Sequence, residues 1–200
     1  MIKTIIWDFD GVILDSMAVR DIGFKRIFSA FDQESVAKLL EYHRENGGLS
    51  RYVKIRYFFT ELLSEKITEN EVREYAHQFS KIMINELTKP SYLIQESLRF
   101  IKNKYKEYNF HVASGSDQEE LRYLCKELDI SKYFISINGS PTPKEKLVEE
   151  ILDEYKYERK YTCLIGDSIN DRDAAKSNGI LFLAYNNEKL NEFSEIKPLF

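Results

Sequence analysis

The hydrophobic residues of this 200-residue chain fall into two patterns. Five short runs are almost continuously apolar and rich in Ile, Val, Phe and Tyr, which is typical of strands that a parallel sheet buries on both faces. These runs cover residues 2–7, 109–114, 133–138, 161–166 and 180–185. From residue 109 onward the strands are separated by predicted helices at 117–128, 143–156 and 170–178. This alternation predicts an α/β fold with a Rossmann-like parallel sheet and helices on both of its faces.

The stretch between the first two predicted strands has a different pattern. Apolar residues recur there at intervals of three and four, which predicts amphipathic helices. These predicted helices cover residues 16–31, 33–46, 50–64 and 69–88. Pro90 interrupts the pattern, and a further helix leads into the second strand. We therefore predict an α/β core domain of residues 1–14 and 90–200, and a small all-α cap domain of residues 15–89 inserted after the first strand.

Charge and hydropathy narrow the classes of partner. The formal net charge of -4 provides no basic field that would attract nucleic acid or an anionic membrane. No apolar run approaches the roughly 20 residues that a membrane-spanning helix needs, and Asp8 ends the first apolar run too early for a signal peptide. We therefore expect a cytoplasmic protein without a nucleic-acid or membrane partner. The sequence is compatible with a monomer.

Polar groups follow three of the predicted strands. Asp8 and Asp10 follow the first, in the run IIWDFDG, and two carboxylates on the same side of a strand repel unless a cation lies between them or one keeps its proton. Ser114 ends the second strand, and the run GDSIND at 166–171 follows the fourth. Because ligands of open α/β sheets bind beyond the carboxyl ends of the strands, we expect these groups to meet at one edge.

The types of these residues indicate phosphoryl transfer. Oxygen ligands without a His or Cys cluster favour Mg²⁺ over zinc. A carboxylate can act as a nucleophile that forms an aspartyl-phosphate. A serine hydroxyl, a lysine ammonium such as that of Lys144 and backbone N–H groups can hold the phosphoryl oxygens. Gly11 and Gly115 allow the backbone to turn sharply or to approach a ligand closely.

The motifs also resemble those of a known family. DFDG at 8–11, the strand-terminal Ser114 and GDSIND at 166–171, in this order, resemble the haloacid dehalogenase superfamily, specifically its Mg²⁺-dependent phosphatase branch. The helical insertion after the first motif resembles the cap of the β-phosphoglucomutase and phosphoglycolate phosphatase group. The resemblance implies Mg²⁺-dependent hydrolysis of a small phosphate monoester through an aspartyl-phosphate intermediate, with a small phosphorylated metabolite as the partner.

The resemblance also implies a role for each matching residue. Asp8 would be the nucleophile and a metal ligand. Asp10 would be the general acid/base, and its backbone carbonyl would bind the metal. Ser114 would hold a phosphoryl oxygen. Asp167 would complete the metal site, with Asp171 ligating directly or through water.

The lysine of the phosphate site departs from the family pattern. Many members with this type of cap carry Lys-Pro-x-Pro before the fourth strand, and the corresponding residues 140–143 read SPTP. Lys144 follows at once and would lie in the first turn of a helix, beside its free backbone N–H groups. We therefore assign the phosphate-holding role to Lys144, with Lys146 as the alternative.

One basic segment of the predicted cap is a candidate for substrate binding. Gly47 and Gly48 interrupt a helical region, and Ser50 is a candidate cap for the next helix. Arg51 and Lys54 then share a helix face at a spacing of three, and Arg51 matches the Arg of a Gly-x-Ser-Arg loop in the β-phosphoglucomutase group. This segment could bind an anionic group of the substrate. The alternative is a charged face in contact with solvent.

Three other functions are consistent with parts of this pattern. A phosphomutase acting on a sugar phosphate would use the same pair of aspartates and return the phosphoryl group to the sugar. A dehalogenase is disfavoured because that branch lacks the second aspartate of the first motif, which is Asp10 here. A non-catalytic protein that binds a phosphate ligand on this scaffold is disfavoured by the complete set of acids.

Overall fold

The computed structural model describes residues 1–199 and contains one sheet of five parallel strands. The strands are β1 (Thr4–Trp7), β2 (Asn109–Asp117), β3 (Ser136–Ser140), β4 (Thr162–Gly166) and β5 (Leu181–Ala184). Their spatial order is β3-β2-β1-β4-β5, and every neighbouring pair is parallel. The central strand β1 is buried along its whole length. The predicted fold class, an α/β parallel sheet, is confirmed.

Helices cover both faces of the sheet. In chain order they are α1 (Met17–Ile27), α2 (Gln33–Glu45), α3 (Arg51–Tyr57), α4 (Glu69–Glu86), α5 (Gln95–Lys104), α6 (Gln118–Glu127), α7 (Lys144–Glu154) and α8 (Ile169–Ser177). Ile6 packs with apolar residues of α7 and α8, whereas Ile5 and Trp7 pack with those of α5 and α6. This alternation along β1 explains why the strand is apolar at every position. No helix within residues 1–199 combines the length and the apolar character needed to cross a membrane.

The helices α1 to α4 lie between β1 and β2, within residues 15–89, and we call this segment the insertion. Asp32, Ser50 and Thr68 each accept a hydrogen bond from a backbone N–H in the first turn of the helix that follows, which is why α2, α3 and α4 begin where they do. The single helix predicted at 50–64 is instead α3 followed by a π-helical turn, Phe58–Leu62.

Two predicted strands differ from the structure by three residues at one end. The third strand, predicted at 133–138, is Ser136–Ser140, because residues Ser131–Tyr133 form a 3₁₀ turn. The second, predicted to end at residue 114, runs on to Asp117, which pairs with Ser140 after an irregularity in register. Residues 138–140 read NGS and are polar, so hydrophobicity could not mark them as strand. Backbone pairing with a neighbouring strand decided these ends.

An aromatic cluster holds the helices of the insertion together, and Phe28 lies at its centre. Phe28 is fully buried and stacks on Phe58 at a centroid distance of 4.2 Å, with Tyr75 at 5.2 Å. We expect Phe28→Ala to lower the free energy of unfolding by about 3–5 kcal/mol, because it removes apolar contacts and leaves a cavity. Urea denaturation measures this loss.

A matched control is Ile22→Ala in the same stretch of chain, since Ile22 is 43% exposed. We expect this change to cost less than about 1 kcal/mol. Equal losses for the two variants would contradict the assignment of the cluster as the core of the insertion.

Candidate active site

Parallel pairing of β1 with β4 brings three carboxylates together. Trp7 pairs with Ile165, and the backbone N–H of Asp8 donates to the carbonyl of Ile165 at 2.9 Å, so the residues that follow the two strands meet. One carboxylate oxygen from each of Asp8, Asp167 and Asp171 lies within 4.8 Å of the others. Sequence reasoning placed these three residues at one edge, and the structure places them there.

Lys144 lies at this carboxylate cluster, and Lys146 does not. The Lys144 Nζ is 2.8 Å from Asp8 Oδ1 and also forms an ion pair with Asp171, and the lysine side chain is only 3% exposed. Lys146, two residues after Lys144, lies on the exposed face of α7. Its Nζ pairs there with Glu149 at 2.7 Å. Of the two candidate lysines, the structure thus brings only Lys144 to the acids.

Burial and mutual repulsion set the electrostatics of this cluster. Burial, together with the charge of Asp171, raises the pKa of Asp8 well above its usual value, and Lys144 only partly offsets this. The same two causes, burial first, raise the pKa of Asp167 to about 7. Burial alone would lower the pKa of Lys144, but the carboxylates of Asp171 and Asp8 raise it above the ordinary lysine value. Three carboxylates face one ammonium, so the cluster has an excess of negative charge that a cation would neutralise.

Asp171 belongs both to the carboxylate cluster and to the cap of the helix α8. One of its oxygens, Oδ2, accepts from the backbone N–H of Ser168 at 3.0 Å and from the Ser168 hydroxyl at 2.6 Å, which completes a capping box at the start of α8. The other oxygen, Oδ1, faces Lys144. The helix cap therefore fixes the orientation of Asp171 within the carboxylate cluster.

Asp10 has a separate set of partners. The strand β1 ends at Trp7, so the side-chain alternation of a strand does not extend to Asp8 and Asp10. Asp10 accepts hydrogen bonds from Arg20 Nε at 2.7 Å, from Ser116 Oγ at 2.6 Å and from the hydroxyl of Ser16. Burial raises the pKa of Asp10, but Arg20 and these hydroxyls outweigh it and lower the pKa below its usual value. Asp10 is therefore held as a carboxylate.

Ser114 and two predicted glycines lie beside these acids. The buried Ser114 hydroxyl accepts from the backbone N–H of Ser116 at 3.1 Å, and Ser116 in turn bonds to Asp10. Gly11 has a φ of +77°, and a Cβ there would overlap the carboxylate of Asp167. A side chain at residue 11 would therefore both strain the backbone and displace an acid.

The glycine-rich loop of the insertion lies against the sheet edge. A Cβ on Gly115 would overlap the backbone carbonyl of Gly48, and one on Gly48 would meet Ser168 and Asn170. The insertion and the sheet therefore touch backbone to backbone directly over the predicted site. This close approach accounts for the glycine at residue 115.

Arg51 and Lys54 are buried rather than solvated, which excludes the alternative of a charged face in solvent. Arg51 is 4% exposed and Lys54 is 2% exposed. The Lys54 Nζ lies 2.9 Å from His43 Nδ1 and donates to the carbonyl of Gly47 at 3.2 Å. Burial, and then the charge of Arg20, lowers the pKa of Lys54 to about 7. Burial, and then the charge of Lys54, lowers the pKa of His43 to about 2, so this histidine is neutral.

Arg51 and Lys54 line a small pocket between the insertion and the core, together with Asp10, Arg20, Phe24, His43, Gly47, Leu49, Phe79, Gly115 and Ser116. The predicted site residues thus form two adjoining groups. One is the carboxylate cluster with Lys144, and the other is Asp10 with the charged residues of this pocket, which we call the insertion pocket. Asp8 and Asp10, two residues apart, connect them.

Sequence reasoning missed four residues of the insertion pocket and its wall: Arg20, His43, Ser116 and Glu120. Glu120, on α6, is fully buried and pairs with Arg20 and Arg51. The spacing of polar and apolar residues does not mark these four positions, because the residues that each side chain hydrogen-bonds to lie on other helices, strands or loops. The only signal was the second serine of the run SGS at 114–116, which stands next to a predicted site residue.

Comparisons with known proteins agree with this geometry. A model of the haloacid dehalogenase-like hydrolase family matches residues 5–185. A curated relative from Thermotoga maritima, a phosphorylated carbohydrates phosphatase, is 25% identical over 185 residues, covering 89% of this chain and 82% of the relative.

Two solved structures share the fold. β-Phosphoglucomutase from Clostridium difficile superposes with a TM-score of 0.74 at 18% identity, covering 97% of this chain and 89% of the other. CbbY from Rhodobacter sphaeroides, in complex with xylulose-1,5-bisphosphate, superposes with a TM-score of 0.75 at 16% identity, covering 100% of this chain and 94% of the other. The match of the family model over most of the chain, with the acids assembled at the sheet edge, shows that the chain belongs to the haloacid dehalogenase-like hydrolase family.

Proposed function

We propose that this protein hydrolyses a small phosphate monoester, with a phosphorylated carbohydrate as the substrate class. The observation that carries the proposal is the buried Asp8, which lies within the carboxylate cluster and 2.8 Å from Lys144. Family membership supports a hydrolase, and the relative named a phosphorylated carbohydrates phosphatase supports both the reaction and the substrate class.

The donors of the carboxylate cluster fit a magnesium ion. Asp8, Asp167 and Asp171 offer oxygen atoms alone, and their negative charge exceeds that of the one ammonium among them. We propose that these three side chains and the backbone carbonyl of Asp10 hold Mg²⁺. When bound, the ion would offset the charge of the phosphoryl oxygens and of the acids around them.

The proposed reaction has two half-reactions that use Asp8 and Asp10 in turn. In the first, an oxygen of Asp8 attacks phosphorus, the bond from phosphorus to the ester oxygen breaks, and that oxygen takes a proton from Asp10. In the second, water attacks the aspartyl-phosphate and gives a proton to Asp10. The bond between phosphorus and Asp8 then breaks and releases inorganic phosphate.

Asp10 is in the form needed for the second half-reaction. Arg20 and Ser116 hold it as a carboxylate, which can accept the proton of water. Donation to the leaving oxygen requires a proton on Asp10, so we propose that substrate entering the insertion pocket exchanges some of these partners. Lys144 and Ser114 would hold the phosphoryl oxygens, since the Ser114 hydroxyl accepts from Ser116 and keeps its own hydrogen to donate.

We further propose that residues 15–89 act as a cap that closes over the substrate. The Gly48 carbonyl lies so close to Gly115 that it would overlap a Cβ there, so the insertion already covers this part of the sheet edge. Arg51 and Lys54 line the insertion pocket and would face the leaving group of the substrate. Closure would exclude water during the attack of Asp8, and opening would release the product.

A phosphomutase would use the same two aspartates and return the phosphoryl group to the sugar. The curated relative is a phosphatase, which favours water as the acceptor. A screen of sugar phosphates with Mg²⁺ distinguishes the two reactions, because hydrolysis releases inorganic phosphate and a mutase yields an isomeric sugar phosphate.

Replacement of the nucleophile is the most direct test. We expect Asp8→Asn to lower kcat/KM for phosphate release by about a thousandfold or more, because an amide cannot form the acyl phosphate. The matched control is Asp15→Asn, since Asp15 is an exposed acid in the same segment and should leave the rate unchanged. Full activity of Asp8→Asn would refute the covalent mechanism.

Metal dependence is tested without relying on turnover. We expect Mg²⁺ to raise the Tm of the wild-type protein, and Asp167→Asn to weaken this binding by about tenfold or more, because it removes one ligand. Asp173→Asn, at an exposed position on α8, should bind Mg²⁺ as the wild type does. An unchanged Tm of the wild-type protein on addition of Mg²⁺ would contradict the metal site.

The two lysines of α7 allow a matched test, with Lys144 as the proposed site residue and Lys146 as the control. We expect Lys144→Met to lower kcat by about a hundredfold or more, because the charge beside Asp8 is lost. Lys146→Met should stay within about twofold of wild type, since Lys146 is exposed and pairs only with Glu149 among the described residues. Thermal unfolding of both variants verifies that they are folded. Equal kcat values for the two variants would contradict the assignment of Lys144 as the lysine that holds the phosphate.

A further inference from the structure

A buried carboxylate of the core occupies two arginines of the insertion. Glu120, on α6, has a fully buried side chain. One of its oxygens accepts from Arg20 Nη1 at 3.1 Å, and the other accepts from Arg51 Nη1 at 2.6 Å. Arg20 lies on α1 and Arg51 on α3, so a single acid binds two of the helices that line the insertion pocket.

Few N–H donors of these two guanidinium groups are left for a ligand. Arg20 uses its remaining nitrogens on Asp10 at 2.7 Å and on Ser116 at 2.7 Å. The Arg51 Nη1 also donates to Ser80 at 2.6 Å, and the group lies over the ring of Phe79 at 4.6 Å. Among the nitrogens of these two groups, Arg51 Nη2 is buried without a hydrogen-bond partner in the described part of the chain.

Two guanidinium groups that converge on one point form a favourable site for a phosphate, because their planar N–H donors match its oxygens. Glu120 already stands at that point. A second phosphate group would have to displace this carboxylate, which would leave a buried charge without a partner, or lie beside it against like-charge repulsion.

The charge balance of the insertion pocket leads to the same conclusion. Its cations are Arg20, Arg51 and Lys54, and Asp10 and Glu120 are the acids that face them. The pocket and its wall therefore carry one net positive charge when Lys54 is protonated and none when it is neutral. The dianion of a second phosphate exceeds either balance, whereas a hydroxyl exceeds neither, and a single negative charge is balanced when Lys54 is protonated.

We propose that Glu120 is a specificity-determining residue, which restricts the enzyme to substrates with one phosphate group by occupying the arginines that would bind a second one. This inference rests on the proposed phosphatase function. The leaving group it selects is hydroxyl-rich or carries one negative charge, and Lys54 and Arg51 Nη2 are the donors that remain for it.

The first test uses equilibrium dialysis of inorganic phosphate with Mg²⁺, which needs neither turnover nor a known substrate. We expect Glu120→Gln to bind one phosphate more per chain than the wild type, because both arginines are released. Glu119→Gln is the matched control, since Glu119 is the exposed neighbour on α6 and should bind as the wild type does. Equal stoichiometry of Glu120→Gln and wild type would overturn the proposal.

The second test needs no variant and therefore does not depend on the folding of Glu120→Gln. For a sugar that the wild-type protein accepts, kcat/KM is measured for its monophosphate and for its bisphosphate. Glucose 6-phosphate and glucose 1,6-bisphosphate are one such pair. We expect the monophosphate to be preferred by about tenfold or more. Preference for the bisphosphate would overturn the proposal. An extra phosphate on Glu120→Gln in a protein without any phosphatase activity would support the role of Glu120 and refute the proposed function instead.

Discussion

Repulsion among the buried carboxylates of Asp8, Asp167 and Asp171 is the constraint on which the rest of this structure depends. Three acids within 4.8 Å of one another oppose burial, and the fold surrounds them with groups that reduce the cost. Lys144 supplies an ammonium, and Ser168 at the start of α8 donates its backbone N–H and its hydroxyl to Asp171. The arrangement still lacks positive charge, which is the physical reason to propose a cation at this point.

A second charge network, around Asp10, lies on the other side of the same short segment. Arg20, Glu120 and Arg51 connect Asp10 to the insertion, so the group proposed to move protons is bound to the element proposed to close over the substrate. The two networks differ in net charge. The carboxylate cluster is deficient in positive charge, whereas the network around Asp10 is nearly neutral without a ligand.

The main features of the fold could be predicted because they rest on local signals. Continuous apolar runs marked the strands, and spacings of three and four marked the helices of the insertion. The strand-end rule placed Asp8 and Asp167 at one edge, since β1 and β4 are parallel neighbours. Local signals failed where backbone pairing decided the boundary, as at the polar end of β3, and where the π-helical turn after Tyr57 ended α3.

The α/β class and the acids at the strand ends could be read from the sequence, because each depends on a few consecutive residues. Packing between distant elements settled which lysine meets Asp8, buried Arg51 and Lys54, and paired Glu120 with both arginines. Those contacts join residues up to 136 positions apart, from Asp8 to Lys144. Their partners lie on separate elements, and no local pattern of residues records which elements will pack together.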